Sequence, residues 1–182
     1  MTQIEIPLAQ DDNYISFPAT SPYNFETIFT SSGIINNIPE NGFIKFNPVT
    51  QSLEPVKYTE HIEKGVGYDL YVNSPTSLIY DGTEYTMTFD ELKSHLLPTG
   101  WNLVGVGSNI ITPLSWCRIF DHHYNVVTQL EPKNAYWINY DDCVKPTFNT
   151  ESVLYIVGAL GTVLFTIYLL REFRIIGKPM KE

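Results

Sequence analysis

Residues Val153 to Leu170, VLYIVGALGTVLFTIYLL, form an unbroken run of 18 residues without a charge, a Pro, an Asn or a Gln. A helix of that length spans about 27 Å, close to the roughly 30 Å hydrocarbon core of a bilayer. Such a run has to be buried, and here it follows about 150 residues that read as a soluble portion. The pattern predicts a folded portion tied to a lipid bilayer by one C-terminal transmembrane helix over 153–170. Tyr155 and Tyr168 fall near the two ends, where tyrosine rings favour the membrane interface. Gly158, Gly161 and Thr162 place small residues on one side, a spacing that lets helices approach closely. Val153, Phe165 and Leu170 complete the anchor residues. Arg171, Arg174, Lys178 and Lys181 then make 171–182 a basic tail.

Charge and topology follow from that anchor. The chain carries a net charge of −9, so the acidic portion ahead of the anchor lacks the cations that phosphate neutralisation requires. Met1 to Tyr14 shows no basic stretch, apolar stretch or small-residue cleavage site, the marks of a signal peptide. Two orientations compete. The positive-inside rule places the tail in the cytoplasm. A tail-anchored chain instead keeps the domain cytosolic and passes only the short tail across. The second is preferred here, because moving four basic residues is easier than moving a folded domain. Two cysteines, Cys117 and Cys143, make no disulfide framework. Both are expected to be reduced, with Cys117 a buried structural thiol.

Ahead of the anchor, strand signals dominate. Ile4 to Ile6, Tyr14 to Phe17, Phe43 to Phe46, Tyr68 to Val72 and Tyr136 to Tyr140 alternate at period two. Pro, Gly and Asn clusters separate them, and Asp81-Gly82 predicts a two-residue hairpin turn between Tyr80 and Thr83. Two short helices are expected. One covers Asn24 to Phe29. The other covers Phe89 to Leu97, capped by Thr88 with Glu91 as its capping-box partner. The fold class is mainly β. Two tandem small β modules, sandwich-like or barrel-like, occupy 1–85 and 86–142, with a linker at 143–152.

The modules rest on an internal repeat. Asn13 to Pro18 overlays Asn102 to Gly107 at an offset of 89 residues, and Glu63 to Val72 overlays Glu131 to Tyr140 at 68. Gly100-Trp101-Asn102-Leu103-Val104-Gly105, followed by Glu131-Pro132 and Tyr136-Trp137-Ile138, resembles the GWNL-type β-repeats of archaeal and bacterial surface and secreted proteins. The first copy departs from the pattern, with Asp12 and Tyr14 where Trp and Leu flank the Asn. The resemblance implies a small β module used for display or contact, and no enzyme activity. Repeat and core residues are then Tyr14, Phe17, Tyr68, Tyr71, Trp101, Leu103, Tyr136 and Trp137. Trp101 is expected to be buried, and Gly105 and Gly107 to let another backbone approach.

Candidate chemistry is sparse. Asp121-His122-His123 lacks the ligand spacing of a zinc site and reads as a polar turn. Gly65-Val66-Gly67 opens a strand and has no following Lys-Ser or Lys-Thr, so it is no phosphate loop. No catalytic residue, cofactor site or metal site is read here, and no small-molecule substrate is expected. The surplus of tyrosine and phenylalanine suits a β core or a protein interface better than a carbohydrate groove. The layout resembles the membrane-anchored minor capsid proteins of large icosahedral DNA viruses with an internal membrane. That resemblance implies a structural scaffold in the virion, its β domain facing the capsid proteins and its tail beside the genome nucleic acid. The alternative is a surface-displayed binding or adhesion module with the domain outside.

Overall fold

In the computed structural model, residues 1–95, 100–113 and 117–143 are described. The elements run β1 (Thr2–Leu8), β2 (Asp11–Ser16), β3 (Ala19–Thr20), α1 (Phe25–Ser31), a 3-10 turn (Ile35–Asn37), β4 (Phe43–Asn47) and β5 (Ser52–Pro55). They continue with β6 (Gly67–Val72), β7 (Thr76–Glu84), α2 (Phe89–His95), β8 (Trp101–Gly105), β9 (Ile119–Phe120), β10 (Val126–Val127), β11 (Ala135–Asn139) and α3 (Tyr140–Cys143). The described fold is mainly β, with three small antiparallel sheets ordered β1-β7-β3, β2-β6-β4-β5 and β8-β11-β9-β10. Among the described residues no helix is long and apolar enough to cross a membrane. The anchor at 153–170, the basic tail at 171–182 and most of the linker lie outside the described residues.

The period-two pattern sets the burial. In β1, Ile4, Ile6 and Leu8 point inward and their neighbours face out. Helix α1 adds Phe25, Ile28 and Phe29, the i, i+3, i+4 stripe of one helical face. Its cap is Asn24, whose Oδ1 accepts from the Thr27 N–H at 2.9 Å. Phe25 meets Phe43 edge-on at 4.8 Å, and Phe17 meets Tyr68 edge-on at 5.4 Å. These rings centre one apolar cluster, drawn from Ile4 to Tyr80. A second cluster gathers Leu92, Val104, Val106, Ile119, Leu130 and Ile138. The predicted capping box opens α2: the Glu91 N–H donates to Thr88 Oγ1 at 3.1 Å, and the Thr88 N–H donates to Glu91 Oε2 at 2.7 Å.

Two expectations are corrected. Asp81 and Gly82 form no hairpin, because β7 runs straight through them. Gly82 pairs with Thr2 and Asp81 with Gln3, so β1 takes up the backbone a turn would have used. Gly82 serves close approach instead, since a Cβ there would stand 2.8 Å from Ala19 Cβ. The two cysteines are not free: Cys117 and Cys143 form a disulfide across 26 residues. Helix α3 turns directly off β11 and carries Cys143 back into the second cluster beside Cys117.

The two four-stranded sheets share strand order, direction and register. Asn13 pairs with Leu70, and Asn102 with Ile138, the positions that the sequence overlay equates. Ile44 and Phe120 occupy matching places beside Asp69 and Trp137. Even a side-chain contact repeats: the Glu63 N–H donates to the Tyr68 hydroxyl, and the Glu131 N–H to the Tyr136 hydroxyl.

The sheets also meet reciprocally. Ile15 bridges Asn134, and its counterpart Val104 bridges Val66, the counterpart of Asn134. The Ser16 N–H donates to the Lys133 carbonyl and the Gly105 N–H to the Gly65 carbonyl, each at 3.0 Å. This is an isologous junction inside one chain, with a local pseudo-twofold axis between Ser16 and Gly105. Small residues permit it. A Cβ on Gly67 would stand 2.7 Å from Ala135 Cβ, and one on Gly105 would stand 2.6 Å from the Val66 carbonyl oxygen. Gly107 likewise lies against the Tyr85 carbonyl.

Candidate functional site

Side chains alternate across a strand, so the residues sharing the junction face follow from register. On the first sheet they are Asp12, Tyr14 and Ser16 of β2, Gly67, Asp69 and Tyr71 of β6, and Ile44 and Phe46 of β4. On the second they are Trp101, Leu103 and Gly105 of β8, Ala135 and Trp137 of β11, and Phe120 of β9. The junction covers only the small-residue ends of these faces. Beyond it, each sheet carries a cleft built on three equivalent positions.

The second sheet's cleft is aromatic. Trp101, Phe120, Tyr124 and Trp137 line it with Phe46 of β4 and Gln51 of the β4–β5 turn, around a space of 470 Å³. Phe46 meets Trp137 edge-on at 4.9 Å, and Trp101 lies 5.8 Å from Phe120. Gln51 fixes Trp101 through its backbone: its Oε1 accepts from the Trp101 N–H at 3.0 Å, and its Nε2 donates to the Trp101 carbonyl at 3.1 Å. Gly100, at φ +69°, sits so close to Gln51 Oε1 that a Cβ would stand 2.6 Å away. The Trp101 backbone is therefore pinned on both sides while the residue remains 39% exposed, and Tyr124 is 73% exposed. The expectation of a buried Trp101 is corrected, because the residue opens β8 beyond the junction.

The first sheet's cleft is acidic. Asp12, Ile44 and Asp69 replace Trp101, Phe120 and Trp137, and Pro39, Glu40, Asn41, Gly42, Tyr71 and Asn73 complete a space of 460 Å³. Asp69 is only 7% exposed, and its Oδ1 is buried without a hydrogen-bond partner. Desolvation, reinforced by the Asp12 charge, pushes its carboxyl up to about 6. Lys45, one position along β4, points to the opposite face. It is committed to Glu60 at 2.7 Å and Glu63 at 3.1 Å. The Tyr71 hydroxyl donates to Asp11 Oδ1 at 2.9 Å, outside the Asp69 carboxylate.

The other sequence candidates fall into place around these clefts. Phe17, Tyr68, Leu103 and Tyr136 are buried, whereas Tyr14, Tyr71 and Trp137 are half-buried at the cleft margins. Tyr14 lies 6.3 Å edge-on from Trp137, whose Nε1 is buried without a well-aligned acceptor. Asp121 to Asn125 is a turn, with the Asp121 carboxylate accepting from the His123 and Asn125 N–H groups at 2.9 Å each. Among the described residues no three His, Cys, Asp or Glu side chains gather as a metal site. Sequence reasoning missed Asp69, Phe46, Phe120 and Gln51. One signal for Asp69 was present: it is the lone charge inside Tyr68 to Val72, and it overlays Trp137. No family model, curated protein or solved structure matches the chain.

Proposed function

We propose that the chain is a membrane-anchored structural scaffold. Its tandem modules, 1–85 and 86–142, bind a neighbouring protein layer, and the helix at 153–170 fastens that layer to a lipid bilayer. In its specific form it is a virion minor capsid protein linking a capsid shell to an internal membrane, with the basic tail beside genome nucleic acid. The observation that carries this reading is the aromatic cleft. An exposed Trp101 on a pinned backbone, beside Tyr124, Phe120 and Trp137, has the composition of an interface anchor. The two core clusters support the division into modules. The test is fractionation of virions. Co-purification with intact particles and release only by detergent is the expected result, whereas release by salt alone rejects the anchor. Trp101→Ala should weaken capture of the capsid layer while leaving the membrane association intact.

The disulfide favours a second reading, a surface-displayed binding module with its domain outside. Disulfides persist in oxidising compartments and are uncommon in the cytosol, so Cys117–Cys143 weighs against a cytosolic domain. The basic tail, placed in the cytoplasm, then obeys the positive-inside rule. Protease added outside intact cells separates the two. Loss of residues 1–142 with the tail protected supports display, and trimming of the tail alone excludes it.

A further inference from the structure

Among the described residues the acidic cleft has no cation to match it. Asp69 is buried in the middle of a sheet opposite Tyr14, one carboxylate oxygen has no partner, and the charge that acts on it is a second carboxylate, Asp12. Lys45 is on the wrong face and already shared between two glutamates. An arrangement of this kind is costly to fold and calls for a positive group from elsewhere. The space of 460 Å³ lies in the range that accommodates a side chain rather than a bare ion. A hard cation also seeks six or more oxygen ligands, whereas no third carboxylate joins Asp12 and Asp69 in a metal cluster among the described residues.

We propose that the Asp12–Asp69 cleft receives the guanidinium group of an arginine side chain on a partner protein. A guanidinium is planar and offers five donors, so it can engage the unpartnered Asp69 Oδ1 and the Asp12 carboxylate together. Ile44, Pro39 and the Tyr71 ring wall the same space and suit the apolar stem of such a side chain. Charge complementarity points the same way: residues 1–144 hold 17 acidic side chains against 6 basic ones. The inference rests on the reading of the β unit as a partner-binding scaffold and supplies that partner's chemistry. The clefts then divide the work, with the aromatic one gripping apolar surface and the acidic one fixing register on an arginine.

The test uses the full chain in detergent micelles, with the side-chain carboxyl carbons of Asp12 and Asp69 followed by NMR. The probe is the blocked tripeptide Gly-Arg-Gly, with citrulline in place of arginine as its uncharged isostere. Saturable shifts at both carboxyl carbons with the arginine probe are expected, with affinity weakened at least about tenfold for the citrulline probe and, read at Asp12, in Asp69→Asn. Asp90→Asn, at an exposed position of α2, should bind as the wild type does. Equal binding by Asp69→Asn, equal binding of citrulline, or no saturable shift each overturns the proposal. Saturation by calcium chloride in place of arginine overturns it in favour of a metal site. Micelle binding does not depend on where the chain resides, so failure here leaves the membrane fractionation result standing, and failure there leaves this one.

Discussion

Asp69 is where single-residue physics is most exposed. Its carboxyl keeps a proton up to about pH 6 in the folded chain, against a reference near 3.8. Between those values the folded state binds more protons than the unfolded state, so this residue's contribution to stability falls as pH rises through the window. Below the window the contribution is fully present, and above it a charged, buried carboxylate remains. The shift corresponds to about 3 kcal/mol. Asp69→Asn should therefore raise stability at pH 7 by up to about that amount and leave it nearly unchanged at pH 4, as urea unfolding at the two pH values would read. Trp101 and Phe43 make a second contrast. Phe43 is 1% exposed and sits amid aromatic rings. Phe43→Ala should cost about 3–5 kcal/mol. Trp101→Ala, at an exposed rim, should cost about 1 kcal/mol or less by the same measurement.

At the scale of elements, the strands and caps were legible because their signals are local. Alternation in Ile4 to Ile6 and Tyr68 to Val72 marks strands, and Thr88 with Glu91 marks the start of α2. Thr88→Ala should cost about 1 kcal/mol, since two first-turn contacts depend on that side chain. Three features were not legible, each for a reason of distance. Asp81-Gly82 has the chemistry of a turn, but pairing with Thr2 and Gln3, some eighty residues upstream, overrides it. Trp101 looked like core because large apolar side chains usually are, yet only the placement of the junction decides which end of β8 is covered. The disulfide needed α3 to fold back on the strand, which cysteine spacing cannot disclose. Its loop of 26 residues implies a contribution of about 3.5 kcal/mol through the unfolded chain. Cys117→Ser/Cys143→Ser should lose that amount, and a reductant should lower the melting temperature of the wild type but not of the double variant.

At the scale of the whole molecule, the described residues fall in one unit, Met1–Val144, although their core is divided in two. The junction at Ser16, Gly67, Gly105 and Ala135 explains how both hold. It joins the clusters through backbone hydrogen bonds and bare glycine surface, with no room for a larger side chain. Gly67→Val should destabilise the chain by about 1–3 kcal/mol or more, because the Val104 carbonyl as well as Ala135 stands in its way. Calorimetry should then show two separated transitions in place of one. The reciprocity of this junction has a further consequence. Two copies of a single repeat could associate through the same contacts as a homodimer, but both would then display the same cleft, since a change in one is a change in both. Covalent linkage removes that tie. Within one chain, the positions held by Trp101 and Trp137 in one half are free to become Asp12 and Asp69 in the other. A symmetric pair of identical clefts can thus become an asymmetric pair which, on the partner-binding reading proposed above, would read direction along a partner.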